Sequence, residues 1–463
     1  MRRGCVCPAM LCAALFLHGC SASSQAPPSA WPPVTLTPQD RLLVLAPHPD
    51  DEVLGCGGII QDAMAARLPV RVVFFTYGDN NQWSFLLYRK HPVFMPQAVQ
   101  AMGSVRHDEA VAADRLLGLS PDQLTFLGYP DFGTLHIWQA HWGDRPPLRS
   151  MLTHVTAVPY PTARRPGAAY KGEEVVKDLT DIISEFRPTK VFVSHPADHM
   201  PDHAALYLFL RIALWDVEPA LQPEVYPYLI HFGRWPPHRF RSADDLLPPP
   251  RLIHPVAWRQ HRLSAHGLER KHQALQAHRT QYRSNTRYLR SFIRPNELFG
   301  EFPLVRLAGG ETSTGAASGQ TEDGTEPPEE LTDEERARFV GVEARRMWLE
   351  DGRLVLSVTY SRPLAETLGL SVFAFGYRHD RPFGQMPKLH LRLGAFTHTV
   401  LDQDRVLDPA GIEVTRQPTQ VTVRIPLSTL GDPQRILTSA RTYLGELPLD
   451  WVSWRVLEIT DGR

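Results

Sequence analysis

Four polar residues whose types could support catalysis stand within five positions of one another: His48, Asp50, Asp51 and Glu52. They follow an apolar run, Leu42–Ala46, which is typical of a buried strand. An imidazole beside adjacent carboxylates suits a zinc ion that keeps an open position for water. A solvated acidic turn that caps the next helix through Asp50 or Asp51 would explain only one of the aspartates. The cluster therefore predicts a metal site.

A second polar cluster holds three histidines, His195, His199 and His203, with Asp198 and Asp202 among them. Both clusters follow predicted parallel strands, and groups at the carboxyl ends of such strands meet in one crevice. A histidine of this cluster that does not bind metal could donate a hydrogen bond to the developing oxyanion or a proton to the leaving amine. His195 and His199 are therefore candidate catalytic residues. The two aspartates are predicted to orient the imidazoles from behind.

The spacing of His48 and Asp51 across a strand-to-helix turn allows both side chains to reach one ion. A third nitrogen ligand from the second cluster would complete a His/Asp/His set and leave the fourth position to water. Structural zinc prefers four protein ligands, commonly cysteines, and only Cys56 stays in the predicted fold, so the site is expected to be catalytic. Asp50 cannot share the direction of Asp51 and would serve as general base for the activated water.

Apolar runs without alternation are separated by helical patterns over the first 300 residues. The predicted strands are 42–46, 70–76, 124–127 and 190–194, and the predicted helices are 52–67, 105–117, 173–186 and 259–282. This order predicts an α/β fold, a Rossmann-like and mostly parallel sheet with helices on both faces. Two long connections, 78–103 and 133–171, are rich in aromatic residues and form either the walls of a substrate cleft or ordinary packing.

After residue 335 the apolar period changes to two, as in RLVLSVTY and QVTVRIPL, and Asp351-Gly352 is a hairpin signal. An all-β, sandwich-like domain is therefore predicted at the C-terminus. The predicted divisions are a lipoprotein-type signal at 1–20, a flexible tether at 21–37, the α/β domain at 38–307, a disordered linker at 308–335 and the β-sandwich-like domain at 336–463.

The N-terminus has the pattern of an export signal: Arg2 and Arg3 precede a short apolar core over residues 9–17. That core is too short to span a bilayer, and it ends in Leu-His-Gly-Cys, which resembles the lipobox of bacterial lipoprotein signals. Cys20 is the predicted lipidation site. The prediction is an exported, membrane-anchored lipoprotein that faces the periplasm or cell surface of a bacterium. An ordinary cleaved secretory signal is the alternative, and it also exports the chain.

The overall composition excludes two classes of protein. A formal net charge of −1 over 463 residues gives no field that would recruit nucleic acid, so no nucleic-acid partner is expected. Of five cysteines, only Cys56 lies beyond the signal and the lipidation site, which excludes a disulfide framework.

Residues 47–58, PHPDDEVLGCGG, are similar to the opening motif of the PIG-L/LmbE-like de-N-acetylases. These are zinc hydrolases that remove acetyl from N-acetylglucosaminyl groups of glycolipids, thiol glycosides and related glycans. The similarity extends to Arg106 and Glu109, to the second cluster and to the segment KHQALQAHRTQY, and it covers residues 40–300. The C-terminal domain lies outside it.

The resemblance implies that zinc is bound by His48, Asp51 and His203, with Asp50 as the base. His199 is the alternative third ligand, and Fe²⁺ could occupy the same ligands. The resemblance also implies that Arg106 lies near the substrate; otherwise Arg106 would form a helix-surface ion pair with Glu109.

The chain departs from the family pattern at Met200, where many members have a histidine that stabilises the oxyanion. Either His199 or His195 takes that role, or the oxyanion depends on the metal alone.

The leading hypothesis is an exported zinc-dependent hydrolase that removes N-acetyl from an N-acetylglucosamine-type amino sugar of a surface glycan, the cell wall or a lipid. The expected partners are that substrate and a membrane, reached through the lipid on Cys20. One alternative is a zinc amidase that acts on a non-sugar or conjugate amide. Another is an inactive carbohydrate-binding lipoprotein, which the presence of Asp50 disfavours because a pure binder needs no base.

Overall fold

The computed structural model describes residues 31–80, 95–237, 240–308, 331–364, 368–445 and 447–460, without the side chain of Trp451. The predicted signal, Cys20 and most of the tether lie outside these residues, as do the aromatic residues of 81–94 and the linker residues 309–330. Among the described residues, no helix is both long enough and apolar enough to cross a membrane.

A five-stranded parallel sheet organises the first half of the chain, in the order β3-β2-β1-β4-β5. The strands are β1 Leu42–Ala46, β2 Val70–Thr76, β3 Leu124–Tyr129, β4 Lys190–Ser194 and β5 Glu224–Tyr228. Every residue of β1 is buried, because helices cover both faces of the sheet. The strand order changes direction between β1 and β4, and a crevice opens beyond the carboxyl ends at such a point.

The helices of this half follow the same crossover pattern. They are α1 Asp51–Ala65, α2 Pro96–Leu117, α3 Thr134–Ala140, α4 Gly172–Phe186, α5 Pro201–Val217, α6 Ala265–Ala277 and α7 Arg279–Arg290. In α4 the buried residues Val175, Leu179 and Ile183 recur every fourth position and face the core. The helix ends at Phe186, and the next residue, Arg187, adopts the left-handed conformation before Pro188. The predicted Rossmann-like architecture is confirmed.

The single helix predicted over residues 259–282 was wrong: its first residues form a strand, and the remainder divides into α6 and α7. Residues Ala257–Arg262 form β6, which pairs antiparallel with β7, Asn296–Glu301. Trp258 and Gln260 are buried between more exposed neighbours, which is the period of a strand rather than of a helix. The helix begins only after Ser264, whose Oγ accepts a hydrogen bond from the Gly267 N–H at 3.0 Å.

The C-terminal half consists of a four-stranded sheet and a seven-stranded sheet, which confirms the predicted all-β, sandwich-like domain. Its strands are β8 Val305–Ala308, β9 Val342–Glu350, β10 Arg353–Tyr360, β11 Leu368–Tyr377, β12 Lys388–Leu393, β13 His398–Asp402, β14 Arg405–Leu407, β15 Glu413–Gln417, β16 Gln420–Pro426, β17 Arg435–Leu444 and β18 Leu447–Thr460, and a short helix α8 spans Asp333–Ala337. Asp351 and Gly352, with φ of 48° and 69°, form the predicted two-residue turn between β9 and β10. Strand β8, which precedes the linker, pairs in parallel with β18 and so joins the C-terminal sheet.

An aromatic cluster joins the two halves, and we call it the aromatic junction: Trp138, Trp142, Phe375, Phe383 and Trp454. The ring of Trp138 on α3 lies 5.6 Å from that of Phe375, 5.3 Å from Phe383 and 6.2 Å from Trp454. Trp142 meets Phe383 edge-on at 4.9 Å. Since Trp138 and Trp142 belong to the connection 133–171, this part of that connection serves packing between the halves.

A buried ion pair ties α1 to the later elements. Lys271 Nζ lies 2.6 Å from Glu297 Oε1, and each side chain is 1% exposed. Lys271 also donates to the Leu54 carbonyl at 2.9 Å, while Glu297 accepts from the N–H groups of Gly58 and Ile59 at 2.6 and 3.0 Å. Both members of the pair therefore form hydrogen bonds with backbone groups in the middle of α1.

Lys271→Met is expected to lower the free energy of unfolding by roughly 3–5 kcal/mol, because Glu297 would remain buried without its cation. Denaturant titration of the purified protein measures the change. Lys177→Met is the matched control, since it breaks the exposed pair with Asp181 and should cost less than about 1 kcal/mol. Equal costs for the two variants would show that burial of the pair is not what matters.

Candidate active site

Polar side chains from several strand ends converge beyond the sheet. His48 and Asp51 follow β1, Asp131 follows β3, and His203 lies in the first turn of α5 after β4. His231 follows β5. The crevice predicted from parallel strands is thus the place where both polar clusters meet.

Three of these side chains direct their ligand atoms to one point, and we call them the ligand cluster: His48, Asp51 and His203. Asp51 Oδ2 lies 3.2 Å from His48 Nδ1 and 3.1 Å from His203 Nε2, and the two nitrogens are 3.3 Å apart. All three residues are buried. Two imidazole nitrogens that face each other beside a carboxylate oxygen form a donor set that fits zinc.

The structure separates His203 from His199, the two candidates for the third ligand. His199 is exposed, its Nδ1 accepts from the Gly233 N–H at 3.3 Å, and its ring packs on Phe232 at 4.8 Å. His203, by contrast, is fully buried against Asp51. The geometry therefore favours His203.

Strong opposite charges compensate for the burial of the ligand cluster. Burial lowers the pKa of His203, but the negative charges of Asp198 and Asp51 outweigh this effect and raise the pKa to about 9. For Asp51, burial raises the pKa, while His203 and His48 hold it well below its usual value. Asp51 therefore stays an anion. A metal cation in the cluster would supply the positive charge that protonated imidazoles supply without it.

Asp198, which was predicted to orient an imidazole, contacts the candidate ligand His203 on the side away from the ligand cluster. Its Oδ2 lies 3.0 Å from His203 Nδ1 and accepts from the N–H groups of Ile230 and His231 at 3.0 and 2.9 Å. Its Oδ1 accepts from the Met200 N–H at 2.9 Å. These contacts fix the carboxylate and direct His203 Nε2 towards the ligand cluster.

Asp198→Asn is expected to weaken zinc binding about 10- to 100-fold, because a neutral amide polarises the His203 ring less than a carboxylate does. Competition with a chromogenic chelator measures the affinity. Asp181→Asn, which alters an exposed carboxylate on α4, is the control and should bind zinc like the wild type. An unchanged affinity in Asp198→Asn would remove this residue from the site.

Two carboxylates face the other nitrogen of His48. Nε2 lies 3.1 Å from Asp131 Oδ1 and 3.2 Å from Asp202 Oδ2. Asp202 also accepts from the backbone N–H groups of Phe132 and Thr134 at 2.6 and 3.2 Å. Asp202 was predicted to orient an imidazole, and it contacts that of His48. Asp131 was missed, although its position directly after β3 could have indicated it. With His48 these two form a second group that could hold an ion, but His48 would have to use its other nitrogen.

Asp50 lies beside the ligand cluster in an unusual backbone conformation. Its φ is 121°, which is rare for a residue with a side chain, and its N–H donates to Glu52 Oε2 at 2.9 Å. Glu52 Oε1 in turn lies 2.9 Å from His278 Nε2. The second histidine of KHQALQAHRTQY, His278, therefore supports the turn that presents Asp50. Sequence reasoning assigned no role to Glu52 or His278.

Arg106 supports the same turn from the other side. Its Nη1 donates to the Gly78 carbonyl at 2.7 Å and its Nη2 to the Pro49 carbonyl at 2.6 Å, with Asp50 Oδ1 3.5 Å away. The residue is buried, so these contacts give it a positioning role and do not support its predicted contact with substrate. The alternative pair with Glu109 is wrong, because Glu109 accepts instead from Thr280.

Burial gives Asp50 the properties of a base near neutrality. Burial raises the pKa of its carboxyl to about 7; Arg106 opposes this shift, and the negative charge of Asp51 adds to it. A carboxyl with a pKa near the working pH can both accept and release a proton.

His195 lies apart from the ligand cluster. Its Nδ1 accepts from the Ala197 N–H at 3.0 Å, and its ring packs on Trp258 and Phe302 at 5.8 and 4.9 Å. These contacts do not support its predicted catalytic role. Burial and the nearby Arg455 lower the pKa of the imidazole to about 3, so it is neutral in the fold.

His195 should make the protein less stable as the pH falls from about 6.5 towards 3. In that interval the unfolded chain binds a proton at this imidazole and the folded chain does not, so stability decreases by up to about 1.4 kcal/mol per pH unit. Denaturant unfolding of the wild type and His195→Gln at pH 5, 6 and 7 tests this. The variant should show a shallower slope, whatever its stability at pH 7. Parallel slopes would contradict the prediction.

His231, like Asp131, is a functional candidate that sequence reasoning missed. Its ring is 4.9 Å from the ring of His203, and it is partly exposed. A single histidine after a short strand gives no signal in the sequence; only the position of β5 at the edge of the sheet brings it to the site.

A family model matches the part of the chain that carries most of this site. Residues 43–214 match the PIG-L family model, described as GlcNAc-PI de-N-acetylase. The matched range runs from β1 into α5 and contains the ligand cluster and Asp50. A search of curated proteins finds no match.

Several solved structures resemble part of this chain. N,N'-diacetylchitobiose deacetylase from Pyrococcus horikoshii is 19% identical over 52% of this chain and 70% of its own, with a TM-score of 0.32. The conserved protein TT1542 from Thermus thermophilus is 22% identical, over 55% of this chain and 84% of its own, with a TM-score of 0.32. A40926 pseudoaglycone deacetylase Dbv21 is 18% identical, over 52% of this chain and 83% of its own, with a TM-score of 0.32.

Proposed function

We propose that this chain, which carries a PIG-L family domain at residues 43–214, is a zinc-dependent deacetylase of an N-acetylated amino sugar. The observation that carries the proposal is the convergence of His48, Asp51 and His203 on one point, with Asp50 beside them. A binding protein would need neither a buried base nor the supports that hold it in a strained conformation.

His48 Nδ1, Asp51 Oδ2 and His203 Nε2 would hold the ion. When bound, zinc would polarise the amide carbonyl and make a water molecule more acidic. Asp50 takes a proton from the water that attacks the amide carbon. As the carbon–nitrogen bond breaks, the same carboxyl delivers that proton to the nitrogen, and the products are acetate and a free amine. Glu52 and Arg106 keep the base in place during both transfers.

We also propose that the protein acts outside the cytoplasm, on a surface glycan, cell-wall or lipid-linked sugar. The support is the N-terminal pattern, a basic start and an apolar core that ends at Cys20. A lipid on Cys20 would keep the α/β domain at a membrane, where such substrates are concentrated.

Amine release from a panel of substrates that contain N-acetylglucosamine tests the proposed activity. The zinc-loaded full chain is compared with Asp50→Asn under identical conditions. Release by the wild type alone would support deacetylation and begin to identify the sugar. No release on any substrate, with zinc bound stoichiometrically, would move the assignment to a non-sugar amide or to carbohydrate binding.

A further inference from the structure

His231 stands next to the ligand cluster without belonging to it. Its ring meets that of His203 edge-on, with the centroids 4.9 Å apart. Its backbone N–H donates to Asp198, the carboxylate that also holds His203. The charges of Asp51 and His48 also act on this imidazole, which places it within electrostatic reach of all three cluster residues.

The hydroxyl of Tyr288 determines which nitrogen of His231 carries the proton. That hydroxyl donates to the Ile230 carbonyl at 2.6 Å and lies 3.3 Å from His231 Nδ1. Because the hydrogen of the hydroxyl is used by Ile230, the contact at 3.3 Å is a hydrogen bond only when Nδ1–H donates to the tyrosine oxygen. In the neutral ring, Nε2 is then an unprotonated acceptor.

No hydrogen bond of Nε2 occurs within the described part of the chain, and His231 is partly exposed. The ring is nevertheless held firmly: Asp198 fixes its backbone, Tyr288 fixes Nδ1, and the Tyr288 ring stacks on it at 5.7 Å. An acceptor that is oriented in this way and accessible beside a metal site is suited to a ligand that brings its own donor.

We propose that His231 Nε2 contacts the substrate and accepts a hydrogen bond from an N–H or O–H group next to the scissile amide. This inference rests on the proposed function. In an N-acetylated amino sugar, that donor is either the amide N–H or a neighbouring hydroxyl. His231 thus orients the amide over the ligand cluster and makes no bond to the metal.

Two substitutions distinguish the contribution of Nε2 from that of Nδ1. In His231→Gln the side-chain amide reaches the position of Nε2, whereas in His231→Asn it reaches only that of Nδ1. We expect His231→Asn to lower kcat/KM about 10-fold, the value of one hydrogen bond, and His231→Gln to lose less. Both should bind zinc like the wild type. His272→Asn is the matched control. His272 lies on α6, and its imidazole also pairs with a tyrosine hydroxyl, that of Tyr282 at 3.1 Å.

Direct binding gives a readout that does not depend on turnover. The imidazole nitrogen signals of the zinc-loaded chain are followed by NMR while N-acetylglucosamine or N-ethylacetamide is added, and His231 is assigned from His231→Asn. A shift of its Nε2 signal with both ligands identifies the amide N–H as donor. A shift with the sugar alone identifies a hydroxyl.

An unmoved Nε2 signal with both ligands would overturn the inference, as would loss of zinc in His231→Asn, which would make His231 a ligand. If the wild type releases no amine from any substrate, the proposed function fails, but a shift of the Nε2 signal would still establish the contact.

Discussion

Asp50→Asn is expected to retain bound zinc and to lose about 10²- to 10⁴-fold in kcat. Asparagine keeps the size of the side chain and can still lie near Arg106, but it cannot take a proton from water. The backbone support at this turn, the N–H of residue 50 on Glu52, does not depend on the side chain. Since Asp50 is not in the ligand cluster, metal binding and turnover should separate in this variant.

Metal analysis by mass spectrometry and steady-state kinetics on one responsive substrate measure the two properties. Asp62→Asn is a fair control, because it removes an exposed carboxylate from the same helix, α1. If Asp50→Asn turned over substrate like the wild type, another group would have to be the base, and the role of the strained turn would need a different explanation.

His203→Ala should lose zinc and turnover together. Zinc binding to folded sites is worth roughly 10–16 kcal/mol, so the loss of one of three protein ligands should weaken binding by at least about 100-fold. The substitution also removes a cation from beside Asp51 and Asp198, both of which are buried.

The contrast between His203→Ala and His199→Ala decides which histidine is the ligand. Equilibrium dialysis against buffered zinc gives the affinities of both. We expect His199→Ala to bind zinc like the wild type, because its ring contacts Phe232 and Gly233 instead of the ligand cluster. The reverse result, full zinc in His203→Ala and none in His199→Ala, would refute the assignment.

Local patterns in the sequence were sufficient for the central strands. Residues 42–46, 70–76 and 190–194 were predicted with the bounds that the structure shows, because strands buried on both faces are continuously apolar. The clusters around His48 and His203 were visible because their polar residues are adjacent in sequence.

The remaining parts of the site depend on sheet order, which no local pattern contains. Asp131 and His231 reach the ligand cluster only because β3 and β5 lie where they do. His278 contacts Glu52 across 226 positions of the chain. Strand β6 was missed because its alternating pattern covers only a few residues and runs directly into a longer helical pattern.

The aromatic junction and β8 together determine what a cut in the linker would do to the chain. Strand β8 leaves the catalytic half to become an edge of the C-terminal sheet, and Trp138 is packed against residues of β11 and β18. A single backbone cleavage between residues 309 and 330 would therefore not release either half. Both tryptophans of α3 and its C-terminal end are buried in these contacts, so pulling the halves apart would expose the rings of Trp138 and Trp142 to water.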